Sequence, residues 1–193
     1  MLRARTIVAF FVLLAAVSLL GFAPPFVKLP GGLARRVSED KLAGLRPGQD
    51  SLQRTLKILG PNPDQTLSSR EVAWWDACNN ERALVTFDST NRVRSVLVDK
   101  IPVSIDGDCE VKGYSRPARA KFGSGHGLLK RDRCERVEEI YGAPDIKRPL
   151  ESRRELYSYN YDGTSDKPTL TLEITCDTGV DQVSSLKLAV SAK

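Results

Sequence analysis

A helical pattern ends at Ile58-Leu59-Gly60-Pro61, and about eighty residues later another ends at Ile140-Tyr141-Gly142-Ala143-Pro144. With the two glycines in step, Asp50 meets Asp132, Gln53 meets Glu135, and Arg70-Glu71-Val72 meets Arg154-Glu155-Leu156. After a few extra residues in the second copy, Phe87-Asp88 meets Cys176-Asp177, and Val96-Leu97-Val98 meets Leu186-Lys187-Leu188. This is an internal duplication. It decides architecture before any single residue does, because both copies have to form the same unit.

Each copy starts with a helix. Asp50-Ser51-Leu52-Gln53 and Asp132-Arg133-Cys134-Glu135 have the spacing of capping boxes, with the aspartate accepting from an early backbone N–H. Leu52, Leu56 and Leu59 then fall on one helical face, as do Cys134, Val137 and Tyr141. Gly60 and Gly142 supply the left-handed residue after the last turn, and the nearby prolines forbid continuation. Ser38 to Gly44 reads as a further short helix ahead of the first copy.

Strand patterns follow each helix, at 72–77, 83–87 and 92–98 and then at 156–161, 170–176 and 183–190. Comparing the copies identifies the buried face. Leu97 aligns with Lys187, a residue that does not point into a core, so Val96, Val98, Leu186 and Leu188 form the core set. The fold class expected is α+β, with two tandem units, each a helix followed by a three-stranded antiparallel meander.

The amino terminus has a different character. Arg3 and Arg5 precede an uncharged run from Thr6 to Val27, the arrangement of a secretory signal or a membrane anchor. Pro24 and Pro25 disfavour cleavage after Ala23, which favours an uncleaved anchor with the rest of the chain exported; a cleaved, secreted form is the alternative. The organisation expected is therefore a signal or anchor at 1–27, a linker at 28–37, a first unit at 38–111, a basic connector at 112–125 and a second unit at 126–193. The formal charge of +5 falls to +3 without Arg3 and Arg5, which is weak evidence for an anionic partner.

A helix closed by Gly-Pro or Gly-x-Pro, an aromatic first strand, a second strand ending in Phe-Asp or Cys-Asp and a valine-rich third strand together resemble the SmpA/OmlA (BamE-type) family. The tandem arrangement is similar to the β-lactamase-inhibitory-protein (BLIP-like) fold. The resemblance covers residues 38–99 and 126–191. It implies an exported scaffolding or inhibitory module that binds another protein with an open sheet face. The lipid-bearing cysteine of the assembly lipoproteins is missing, and the basic connector is an addition.

Four cysteines in an exported chain suggest disulfides. Cys134 on the core side of the second helix and Cys176 on the sheet beneath it make one expected pair. Cys78 and Cys109 make the other, tying the connector to the first sheet. No Cys-x-x-Cys pair is present, so neither zinc nor any other metal or cofactor is expected.

Trp74 and Trp75 point to opposite faces of one strand. Trp75 aligns with Tyr159, so Trp74 is the candidate for the open face and for partner binding. The basic residues Arg116, Arg119, Lys121, Lys130 and Arg131 are the other partner-binding candidates, for an acidic protein patch or an anionic membrane surface. Few aromatics interleave with them, which argues against nucleic acid. His126, in Gly123-Ser124-Gly125-His126-Gly127, is the one histidine. A small hydrolase using it with Ser124 is the least favoured reading, because no Gly-x-Ser-x-Gly elbow supports it. The function expected is a non-enzymatic protein-binding module of the cell envelope for an envelope or secreted partner. The alternative is a structural envelope protein without a specific target.

Overall fold

A computed structural model describes residues 36–102 and 122–191. Eight strands form one antiparallel sheet: β1 (Gln65–Ser68), β2 (Glu71–Asp76), β3 (Glu81–Phe87), β4 (Val93–Asp99), β5 (Ile146–Leu150), β6 (Arg154–Tyr161), β7 (Leu170–Asp177) and β8 (Gln182–Val190). Two short helices, α1 (Leu52–Leu59) and α2 (Glu135–Tyr141), precede the strands of each half. The strand order is β1-β2-β3-β4-β8-β7-β6-β5, so the halves meet along β4 and β8.

This corrects the expected fold class. Val96 pairs with Leu188 and Val98 with Leu186, which joins the two sets of strands into one sheet where two separate meanders were expected. Each half also holds four strands instead of three. The extra ones, β1 and β5, are the sheet edges and are almost wholly exposed, so they carry no buried alternation. The BamE-type and BLIP-like recognition, which rested on tandem helix-plus-meander units, loses its structural basis.

The core lies on one face. Ala83, Val85 and Phe87 alternate with half-buried residues along β3, and Leu170, Leu172, Ile174 and Cys176 do so along β7. Val96, Val98, Leu186 and Leu188 are all fully buried in this cluster. Leu59 of α1 and Val137 and Tyr141 of α2 join it. The caps differ from expectation by one or two residues. Ser51 caps α1, its Oγ accepting from Arg54 N at 3.3 Å, while Asp50 accepts from Arg46 N at 2.8 Å. Cys134 is the N-cap of α2 without a side-chain bond, and Asp132 closes the preceding turn by accepting from Leu129 N at 2.8 Å. Gly60 (φ 117°, ψ 153°) and Gly142 (φ 74°, ψ −161°) have the positive φ that glycine allows after each helix, but in an extended conformation and not the left-handed helical one expected.

Residues 36–45 form an arm in place of the expected short helix. Leu42, Ala43 and Leu45 are fully buried in the core, with Ala43 N donating to Gly123 O at 2.9 Å. The arm belongs structurally to the second half. Arg36 donates to both oxygens of Asp145, at 2.6 and 2.5 Å, and lies over the rings of Tyr159 and Tyr161 at 5.6 and 5.4 Å.

Arg36, followed by the Asn160 backbone N–H, holds the Asp145 carboxyl down to about 2, below its ordinary 3.8. A depressed folded value contributes stability above the unfolded value, and that contribution is lost as pH falls through the folded one. The contribution is therefore complete above roughly pH 4 and mostly lost by about pH 2, where the folded carboxyl is half protonated. Denaturant melts across this range should show Arg36→Ala less stable than wild type at pH 7, with the gap closing towards pH 2. A gap constant with pH would show that stacking on the tyrosines, and not the ion pair, holds the arm.

Among the described residues no helix is long and apolar enough to cross a membrane. The segment 1–27, where an anchor was expected, lies outside them.

Candidate functional site

The sheet has a second face, turned away from both helices and the arm. One row of residues crosses it through all eight strands: Gln65, Ala73, Leu84, Leu97, Lys187, Glu173, Ser158 and Ile146. Trp75, Arg82 and Asp99 form a shorter row beside it. The half containing β2 to β4 presents Trp75, Leu84 and Leu97, all half-buried. Two ion pairs lie within this face. Arg82 makes a bidentate pair with Asp99 at 2.8 and 2.7 Å, and Lys187 meets Glu173 at 2.9 Å.

Trp74, the sequence-derived candidate for this face, is on the other one. It is 3% exposed within the core, and its Nε1 donates to Gly60 O at 3.1 Å. Tyr159 does the same in the second half, its hydroxyl donating to Gly142 O at 3.0 Å. Asp64 and Asp145 are equivalent as well, accepting from Trp75 N at 2.8 Å and from Asn160 N at 2.6 Å. The structural equivalents are therefore Trp74 with Tyr159 and Trp75 with Asn160. The spacing from helix-ending glycine to aromatic is 14 residues in one half and 17 in the other. An alignment that inserts one residue too few exchanges the faces.

Trp75 is thus the tryptophan of the second face, and it carries an unmet need. Among the described residues its buried Nε1 has no acceptor, and Oε1 of Gln65, on the neighbouring strand and the same face, is buried without a donor. Buried polar atoms in this condition call for an explanation.

Arg116, Arg119 and Lys121 lie outside the described residues. Lys130 and Arg131 are brought together beside the turn between β7 and β8. There they line a cavity of about 310 Å³ with Asn80, Lys100, Asp177, Val180, Gln182, Val183 and Ser184. Charge density in the sequence pointed to two of these residues. Lys100 and Asn80 come from distant positions and had no such signal.

The Cys134–Cys176 disulfide is not formed. The two side chains meet as expected, sharing a hydrogen bond, but as thiols, and burial pushes the ionisation of each upward. Cys78 is half-buried, and its expected partner Cys109 is outside the described residues. His126 is exposed, with Nε2 3.0 Å from Ser38 O. Ser124 Oγ instead bonds Tyr141 Oη at 2.7 Å and accepts from Leu128 N at 3.0 Å. The serine and the imidazole thus share a loop while their polar atoms are engaged elsewhere. Among the described residues no group of three or more His, Cys, Asp or Glu side chains is placed to hold a metal ion.

No family model matches the chain, the BamE-type included, and no curated protein matches it. Among solved structures, a DUF4309 family protein (YjgB) from Bacillus subtilis is similar at 11% identity with a TM-score of 0.45, covering 81% of this chain and 88% of that one. A cysteine-rich secretory protein from Staphylococcus aureus is also 11% identical, with a TM-score of 0.45, over 81% of this chain and 48% of its own. An extracellular protein containing an SCP domain from Bacillus anthracis is 10% identical, with a TM-score of 0.40, over 79% and 46%. The chain spans about half the length of the latter two.

Proposed function

We propose that this protein is an exported, non-catalytic binding module that docks another envelope or secreted protein on the second sheet face around Trp75. Export rests on Arg3, Arg5 and the uncharged run that follows them. Docking rests on one observation above all: among the described residues the buried indole N–H of Trp75 lacks an acceptor and no helix covers its face. Because both atoms are shut off from solvent, a partner reaches them when the indole and the Gln65 side chain turn outward on docking; a carbonyl and a donor then satisfy them as the partner packs on Leu84 and Leu97. Because Arg82–Asp99 and Lys187–Glu173 already cancel their charges, the face selects for an apolar, near-neutral patch and not for a charged one.

The test places a photo-crosslinking residue at position 84 or 97, with a control at the exposed Lys57 of α1, in cells that make the full chain. One and the same protein is expected in the adducts from 84 and 97 and not in those from 57. With that protein purified, Trp75→Ala should weaken binding about 30-fold, the loss typical of a central interface anchor. Trp75→Phe keeps the packing and removes only the N–H, and its effect should be smaller and in the same direction. Adducts confined to position 57, or unchanged affinity in Trp75→Ala, would sink the reading.

A further inference from the structure

The cavity at the β7–β8 turn shares no lining residue with Trp75, Leu84 and Leu97, and its lining has a chemistry of its own. Three cations reach it from separate parts of the chain: Lys100 just past β4, and Lys130 and Arg131 on the segment leading to α2. None of the three forms an ion pair among the described residues. Asp177 is the one carboxylate in the lining, and it is occupied in accepting from Gly179 N at 2.9 Å. Three positive charges face Asp177 and, behind the lining, Glu81, which acts on both Lys130 and Arg131, so the cavity keeps a positive excess of one. Asn80, Gln182 and Ser184 add neutral polar groups to its wall.

Two of the three cations are held in place. Lys130 Nζ donates to Asn80 O at 3.2 Å, and Arg131 Nη2 donates to Asn79 O at 3.1 Å. Arg131 also has a left-handed backbone (φ 73°), a conformation that costs a side-chain-bearing residue energy, and its N–H is clamped to Val183 O at 2.8 Å. A strained arginine fixed beside two lysines is a pattern associated with sites more than with plain surface. Burial also lowers the affinity of Lys130 for its proton, a cost that a bound anion would offset.

We propose that this cavity is a binding site for a phosphate monoester, held by Lys100, Lys130 and Arg131. The number of donors decides between oxyanions. A phosphate monoester offers three terminal oxygens to the three cationic side chains, whereas a carboxylate offers two. The monoester headgroup of phosphatidic acid and a free phosphate ester share this chemistry.

The full chain, purified in a neutral maltoside detergent, is titrated with glycerol 3-phosphate while amide shifts of Asn80, Gln182 and Ser184 are followed. Saturable shifts confined to the cavity are expected, with acetate at equal ionic strength binding at least about tenfold more weakly. Lys130→Gln combined with Arg131→Gln should abolish saturation. Lys100→Gln should weaken binding about tenfold; that side chain makes no hydrogen bond or ion pair among the described residues, so the fold does not depend on it. Phosphatidic acid, whose headgroup is a phosphate monoester, doped into the micelles distinguishes the sources: saturation at lower concentration than glycerol 3-phosphate identifies a lipid headgroup, and equal or weaker binding identifies a soluble ester. Absence of saturation with either probe, acetate binding as tightly as the phosphate, or unchanged affinity in Lys100→Gln would overturn the proposal.

Discussion

Trp74→Ala should destabilise the protein by about 3–5 kcal/mol, the usual cost of removing a large buried aromatic. For a domain of this size each kcal/mol lowers the melting temperature by roughly 2–4 °C. Two losses add. The indole fills the core between α1 and β3, where Ala83, its partner across the strand pair, is too small to take up the space. It also satisfies the carbonyl of Gly60, the residue at which α1 ends. Trp74→Phe keeps most of the packing and should cost about 1 kcal/mol for the hydrogen bond, beyond the change in volume. Tyr159→Phe removes the matching bond to Gly142 O in the other half and should cost a similar amount. Urea melts of these variants beside Trp75→Ala check the assignment of faces. A Trp75→Ala loss larger than that of Trp74→Ala would mean the two tryptophans have been placed on the wrong sides of the sheet.

That test bears on what could be learned from the sequence. Both helices, their glycine ends and the six interior strands have strong local signals: apolar residues at helical spacing, then alternation with turns between. The core set Val96, Val98, Leu186 and Leu188 followed from comparing copies, since a lysine in one copy marks the outward face of both. Three features had no such signal. The edge strands β1 and β5 bury almost nothing, and Pro149 within β5 argues locally against a strand. The pairing of β4 with β8 is a tertiary choice, because alternation along a strand is the same whether its edge is free or paired. The face of Trp75 depended on an alignment across a loop of unequal length, where a single residue reverses every side chain. The cavity was half visible, as Lys130 and Arg131 in a basic run, because charge can be counted locally while a concavity cannot.

The arm was the least visible element, and Glu39 is what should make it measurable. Glu39 is fully buried, and its carboxylate accepts from Tyr141 Oη at 2.7 Å, from Lys41 N at 3.0 Å and from His126 N at 3.3 Å. A Cβ at Gly125 would lie 2.6 Å from Oε1, so the glycine-rich loop is what lets the backbone come this close. This gives 123–127 a structural use that its composition alone did not disclose. Glu39→Ala leaves those three donors facing an apolar gap, and a stability loss of about 3 kcal/mol is expected. Glu39→Gln should recover little, because its amide –NH₂ turns a donor towards donors already there. Tyr141→Phe removes a single contact and should cost less than either. A purely global loss would not distinguish a latch from any other buried polar group, so the second measurement is local. Trypsin should cut after Arg36 and Lys41 faster in Glu39→Ala than in a core variant of equal melting temperature. Equal cleavage at equal stability would show that the arm opens only when the whole domain does, and that Glu39 is a buried group of the core and not the clasp of its edge.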